Sequence, residues 1–321
     1  MKFLKIFIYF LIIFFIFGDN LYSCGPEINR EPIEEITIFC PENMVSSIMK
    51  MRPVFEKNFP GHTIYAPESS DLENIYDIIH FNKTPDILIL SDESLLEKFL
   101  FSYIDWYIIF ASDRIVLAFT ENSKYSSKID ENNWYKIIAR GDVKPARMNE
   151  RISTLGYRTL MALNLAENYY RQDFDNLYRN FLHQNVFSSE KELNFLLLAN
   201  DLDYIFDYLS AAKRYKFRYI TLPAQIDLSS KEFKEDYAQA EITLGDNILT
   251  GRPIRYLITI PNNVTYPQRG LKFLRVMFGK QGKEILKNHK IQIAGPYLQI
   301  INKTSGVLED VEEILRGAKN E

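Results

Sequence analysis

The chain is 321 residues long, 46% hydrophobic and 25% charged, with 38 Lys and Arg against 42 Asp and Glu and a net charge of −4. This mild acidic excess excludes general nucleic-acid binding, which needs a concentrated basic face, and two cysteines exclude a disulfide-stapled scaffold. The length accommodates two domains of ordinary size.

The first segment reads as an export signal: Lys2 and Lys5 precede an apolar run from Phe7 to Phe17, and Leu21-Tyr22-Ser23-Cys24 follows. A transmembrane anchor is the competing reading, but the run falls short of the roughly 20 residues that span hydrocarbon. The four residues ending in Cys24 resemble a bacterial lipobox, with Tyr22 a bulky departure. That resemblance implies removal of residues 1–23, lipidation of Cys24, and an exported protein tethered to a cell membrane, where several acyl chains hold stably and one does not. Cys40 closes an apolar alternation with Ile36 and Ile38 and reads as a core thiol, a Cys24 to Cys40 disulfide being the alternative. Residues 25–34, with two prolines and few apolar side chains, read as a tether.

A strand is expected at 35–40, then a helix at 43–58 with Met44, Ile48, Met51 and Phe55 on one face and Pro53 predicting a kink or break. Phe59-Pro60-Gly61 stops it before a strand at 62–66. Helices at 71–80 and 92–100 alternate with strands at 86–90 and 114–120. A second set comprises helices at 133–139, 156 to about 182 and 189–200, with strands at 204–207 and 219–222. A strand at 255–260, a helix at 267–288 and a terminal helix within 306–321, packed through Val307, Leu308, Val311 and Leu315, complete the chain. Strand and helix in alternation, with apolar strands, predicts α/β architecture and mostly parallel sheets flanked by helices.

Seven segments in order resemble the tungstate/molybdate-type solute-binding proteins of ABC importers. They are FEKNFPG (55–61), DWYIIFASDRIVLAFT (105–120), NNWYKII (132–138), LGYRTLM (155–161), DYIFDYLSAA (203–212), LPAQIDL (222–228) and TGRPIRYLITIPNN (250–263). The resemblance spans about 35–300 and implies a two-lobed periplasmic-binding type II fold. Lobe 1 would hold residues 35–119 and 253–300, lobe 2 residues 120–252, and 301–321 a tail. Independently of the family, ligands in open α/β sheets settle beyond the carboxyl ends of the strands, and helix N-termini there suit anions.

Within that family, hydroxyl-bearing loops of lobe 1 and two lobe 2 carboxylates hold the oxyanion. Here the first Gly-Ser loop reads Pro41-Glu42-Asn43 and the second Glu68-Ser69-Ser70-Asp71. Ser69 and Ser70 are candidate donors, although a Ser before a helical run is usually an N-cap. One lobe 2 carboxylate position carries Ser153 and the other Asp207, followed by Tyr208. A dianion about 4 Å from Glu42 would meet roughly 8 kcal/mol of repulsion at an effective dielectric near 20, as much as a micromolar affinity provides. The same altered loop brings Lys144, Arg147 and Arg151. Arg147 or Arg151 is therefore expected in the cleft as a salt-bridging substitute, or else in solvent or paired with Glu42 and Glu150. Trp106, Tyr107, Trp134 and Tyr157 read as packing residues.

No GxSxG, HExxH, Gly-rich phosphate loop or CxxC occurs, and His62, His80, His183 and His289 lack metal-ligand spacing. No catalytic residue, cofactor or resident metal is expected. The reading is a monomeric, lipid-anchored receptor that captures a small oxyanion for an ABC permease and ATPase. The alternative is an anchored binding protein of the same fold with an altered ligand or no transport role.

Overall fold

The computed structural model describes residues 33–172, 174, 185–303 and 305–320. The export signal, Cys24, nearly all of the tether and His183 lie outside them. Glu34–Glu321 forms one compact unit, built on two sheets. The first draws on β1 (Glu34–Phe39), β2 (His62–Tyr65), β3 (Ile87–Leu90), β4 (Trp106–Ser112), β12 (Arg255–Thr259) and β13 (Gln292–Ile300) in the order β13-β4-β12-β3-β1-β2. The second has β5 (Ile115–Phe119), β6 (Pro145–Met148), β7 (Val186–Phe187), β8 (Tyr204–Tyr208) and β9 (Arg218–Thr221) in the order β7-β6-β8-β5-β9. A hairpin, β10 (Glu241–Leu244) with β11 (Asn247–Thr250), stands apart. Each sheet with its helices forms a lobe.

The sheets are mixed rather than mostly parallel. β1 pairs in parallel with β2 and β3, and β6 with β7 and β8. β12 and β4, like β5 with its neighbours, run antiparallel. The cause is the chain's passage between sheets. Only Asp113 and Arg114 separate β4 from β5, so the strand leaving the first sheet feeds directly into the second without a crossover helix, which parallel neighbours would require. That passage precedes the expected 119/120 boundary, and residues 115–119 belong to the second sheet. The return falls between β11 and β12.

The helices follow the apolar periodicities. α1 (Glu42–Asn58) buries Met44, Ile48, Met51 and Phe55 completely, and it runs unbroken through Pro53. The anchored face offsets the one missing backbone bond. α2 (Asp71–Phe81) begins with a capping box: Ser70 Oγ accepts from Glu73 N, and Ser70 N donates to Glu73. The region expected as a helix at 92–100 is a short α turn at Glu93–Leu95 continued by π and 3-10 turns to Tyr103. α3 (Trp134–Ile138) buries Trp134 among Tyr135, Tyr170, Phe174 and Phe206. α4 (Thr154–Tyr170) passes so close to the preceding loop at Gly156 that a Cβ there would lie 2.4 Å from the Asn149 carbonyl.

In the second lobe, α5 (Glu190–Leu198) follows β7 and α6 (Leu209–Tyr215) follows β8. The helix expected at 267–288 is two, α7 (Pro267–Phe278) and α8 (Lys280–Asn288), because extended Gly279 ends one and starts the other. α9 (Leu308–Asn320) packs on α7, with Val311, Ile314 and Leu315 buried. Cys40 is a free thiol in the core. Among the described residues, no helix is long and apolar enough to cross a membrane.

Candidate functional site

The two lobes meet across a polar seam formed by the ends of strands and the starts of helices. On the first lobe, β1 delivers Pro41-Glu42-Asn43 at the N-terminus of α1, and β3 delivers Ser91 and Asp92. On the second, Ser153 caps α4 by accepting from Leu155 N at 3.1 Å, Ser189 caps α5, and β8 ends in Asp207 and Tyr208. A polar strand end followed by a helix start exposes unpaired N–H groups at the same edge.

Arg158, on the first turn and a half of α4, fastens the centre. It is 2% exposed and donates to Ser91 O at 2.5 Å, Ser91 Oγ at 3.2 Å and the Tyr208 hydroxyl at 2.8 Å, and it pairs with Asp92 at 3.1 Å. Tyr157 donates to the same Asp92 oxygen at 2.5 Å. Burial opposes ionisation of Asp92, yet Arg158, Tyr157 and Ser94 hold its carboxyl below the usual range. Ser91 also donates to Asp71 at 2.5 Å and contacts Thr154 Oγ1 at 3.0 Å. Burial raises Asp71 to about 6 against its Ser91 hydrogen bonds. The lobes are therefore shut on each other.

Beside this knot lies an interlobe cavity of about 540 Å³, walled by Glu42, Asn43 and Met49 of α1, Glu190 and Asn194 of α5, and Arg214 of α6. Glu42 reaches across it and accepts from Ser189 Oγ at 2.9 Å, Glu190 N at 3.0 Å and Lys191 N at 2.9 Å. Arg214 returns the link by donating to Asn43 O at 2.9 Å. Lys191 pairs with Glu68 at 3.0 Å. Burial, then the charges of Glu42 and Asp207, push Glu190 far above the usual carboxylate range. Burial likewise raises Asp207 to about 7, against the Tyr208 N–H and Arg214. A larger depression of about 690 Å³ lies between residues 35 and 85, within the first lobe. It receives nothing from the second lobe, so the smaller, shared cavity is the candidate site.

The expected site residues divide. Glu42 and Asn43 line the cavity. Ser153 approaches Glu190 at 3.5 Å, and Tyr208 contacts Arg158 and Thr154. Asp207 lies in the charge field of Glu190. Ser69 and Ser70 are taken up locally, Ser69 donating to Asn74 at 2.7 Å and Ser70 capping α2. Arg147 does not enter the cleft: its buried guanidinium donates to Met148 O at 2.8 Å and pairs with Glu150 at 2.6 Å, the pairing expected as its alternative. Arg151 is exposed on the loop before α4 and does not line the cavity. Across the cleft Arg158 pairs instead with Asp92, and Arg214 donates to the Asn43 carbonyl. Sequence reasoning missed these two together with Glu190 and Asn194. The LGYR segment was the one signal for Arg158. Among the described residues, no group of three or more His, Cys, Asp or Glu is arranged to hold a metal.

Comparison with known proteins fits this geometry. Residues 36–289 match the model of a family described as bacterial extracellular solute-binding protein. An uncharacterized solute-binding protein of Petrotoga mobilis is 29% identical over 97% of this chain and 98% of its own. The molybdate/tungstate-binding protein WtpA of Pyrococcus abyssi is 31% identical over 73% of this chain and 76% of its own. The solved periplasmic molybdate-binding protein of Azotobacter vinelandii superposes with a TM-score of 0.58 at 15% identity, covering 81% of this chain and all of that one. That last likeness is one of fold.

Proposed function

The chain belongs to the bacterial extracellular solute-binding protein family of ABC importers, not to an enzyme family, and on that premise we propose that it captures a small tetrahedral oxyanion in its interlobe cavity. Tungstate and molybdate, for which the WtpA relative of Pyrococcus abyssi is named, are members of that class. The observation that carries the reading is the α5 N-terminus. There the Ser189 hydroxyl and two consecutive backbone N–H groups already hold an anionic oxygen pair, the carboxylate of Glu42 from the opposite lobe. Backbone donors at a helix N-terminus bind oxyanions in general, and Arg214 adds a guanidinium to the same cavity.

Closure follows from the same contacts. A solute seated between α1, α5 and α6 touches both lobes, so it binds the shut form better than the open one and shifts the population toward it. The shut form is what a permease and its ATPase would recognise. The proposal places the first lobe at 34–112 and 255–300 and the second at 115–250, with the hinge at the two passages between them. It includes a monomeric protein anchored by lipid on Cys24, supported by the charged, apolar and cysteine-ended start of the sequence. A Cys24→Ser protein that still sediments with membranes would contradict that part.

A thermal-shift panel tests the ligand class. Phosphate, sulfate, molybdate and tungstate at millimolar concentration, set against neutral sugars and amino acids, should produce stabilisation only within the oxyanion set, since a ligand at 100 times its Kd adds about 2.7 kcal/mol. Stabilisation by a neutral solute alone would refute it.

A further inference from the structure

The amides that open a helix have no intrahelical acceptor. At α5, Ser189 meets one of them locally by accepting from Glu192 N at 3.3 Å. Those of Glu190 and Lys191 are met from the other lobe instead. Glu42 Oε2 accepts from Glu190 N at 3.0 Å, while Oε1 accepts from Lys191 N and from the Ser189 hydroxyl, each at 2.9 Å. Three donors converge on one planar anion, and they are the donors that the oxyanion reading gives to the solute. Carboxylate and solute cannot hold them at once.

Glu42 is the first residue of α1. The backbone beside it is fixed, because Asn43 O accepts from Arg214 at 2.9 Å and Asn43 Nδ2 donates to the Tyr256 hydroxyl at 2.6 Å. The Glu42 side chain is only partly buried and lines the cavity, so rotation about its own bonds vacates the donors while α1 stays in place. A tethered group competes at an effective concentration on the order of millimolar. A free carboxylate therefore exchanges one oxygen pair for an identical one and must also outcompete the tether. A tetrahedral oxyanion brings further oxygens and, as a dianion, further charge, for the Arg214 guanidinium and the Lys191 ammonium that line the same cavity.

We propose, resting on the oxyanion reading above, that Glu42 is a tethered competitor for the solute's seat and thereby a specificity-determining residue. It holds the α5 donors while the cleft is empty, excludes free carboxylates such as acetate, and yields to tetrahedral oxyanions. Specificity is a difference of affinities, produced here by a built-in occupant that only a solute with more to offer displaces.

Hydrogen exchange at the amides of Glu190 and Lys191 reads the seat directly, in full-length wild-type and Glu42→Ala protein freed of bound solute. Wild type is expected to exchange both slowly with no solute added. In Glu42→Ala both should exchange at least about tenfold faster, the factor that one charge-assisted hydrogen bond supplies. Acetate at about 0.1 M, well above the millimolar effective concentration of a tethered group, is expected to restore protection in the variant, where the same concentration of chloride does not. Calorimetry should show acetate binding to the variant and not to wild type. Fast exchange in solute-free wild type, or unchanged exchange in a variant of wild-type melting, overturns the inference and leaves the oxyanion reading intact. Acetate that binds both proteins equally, or neither, does the same. If Glu42→Ala loosens the amides and acetate protects them, but none of phosphate, sulfate, molybdate and tungstate does, the oxyanion reading fails and the inference falls with it.

Discussion

The carboxylate of Glu42 lies 2.9 Å from the amide nitrogen of Lys191, so an acidic side chain of one lobe sits on the first free donors of a helix in the other. Two effects meet there. The contact helps hold the lobes together, and it also keeps a negative charge where an anionic solute would gain most from the helix end. At about 4 Å and an effective dielectric near 20 the repulsion is about 4 kcal/mol per unit charge, reduced here by the partial exposure of Glu42. The repulsion acts on the solute directly, whereas the three hydrogen bonds to Glu42 act on it only through closure, so Glu42→Gln is expected to tighten oxyanion binding about tenfold. Calorimetry on both proteins checks it, and weaker binding by the variant would reverse the ranking of the two effects.

Arg158 concentrates the stability of the seam. Its removal leaves buried Asp92, the Ser91 carbonyl and the Tyr208 hydroxyl without their shared donor. Breaking a buried ion pair costs about 3–5 kcal/mol, which for a chain of this size lowers the melting temperature by roughly 10 °C. Arg158→Ala should show that loss, and a shift below about 2 °C would mean that the pair is not buried in solution.

Gly156 sets how closely α4 approaches the loop before it. A methyl group there meets backbone at 2.4 Å, which no rotamer change relieves. Gly156→Ala should destabilise by about 1–3 kcal/mol and, by displacing Ser153 and Thr154, weaken solute binding. Chemical denaturation together with titration reads both effects.

Stability should fall as pH rises from about 4 to about 7. Burial lifts Asp71 and Asp113 to about 6 and Asp207 to about 7, above the ordinary carboxylate value of 3.8. In that window the folded chain holds protons that the unfolded chain has released, so each unit of pH upward removes stabilisation until the folded groups have also ionised. Asp92, held low, contributes its share throughout the window and loses it only under stronger acid. Urea midpoints at pH 5 and pH 7.5 test the sign, with the higher midpoint expected at pH 5.

Much of the fold was legible where one element buries one face. The Met44, Ile48, Met51 and Phe55 spacing gave α1, and Ser70 just before a helical run gave the start of α2. β13 was hidden because Gly295-Pro296 reads as a turn, whereas in the structure it forms a bulge between Ile293 and Tyr297 within the strand. β4 escaped because its apolar run continues into β5, and two intervening residues carry no sign that the chain changes sheets. In the site, Glu42 and Asn43 were visible as departures at a helix start. Glu190, Asn194 and Arg214 were not, because their role depends on the approach of α1 from the other lobe, and no periodicity within 189–215 encodes that approach.

The proposed tetrahedral oxyanion sits between the lobes against Arg214. Equilibrium titration of wild-type and Arg214→Ala protein with phosphate, sulfate, molybdate and tungstate tests it most directly. Saturable one-to-one binding of at least one of the four by the wild type, weakened more than about tenfold in the variant, is the predicted result. Binding of none, or binding equally tight without the guanidinium, would contradict it.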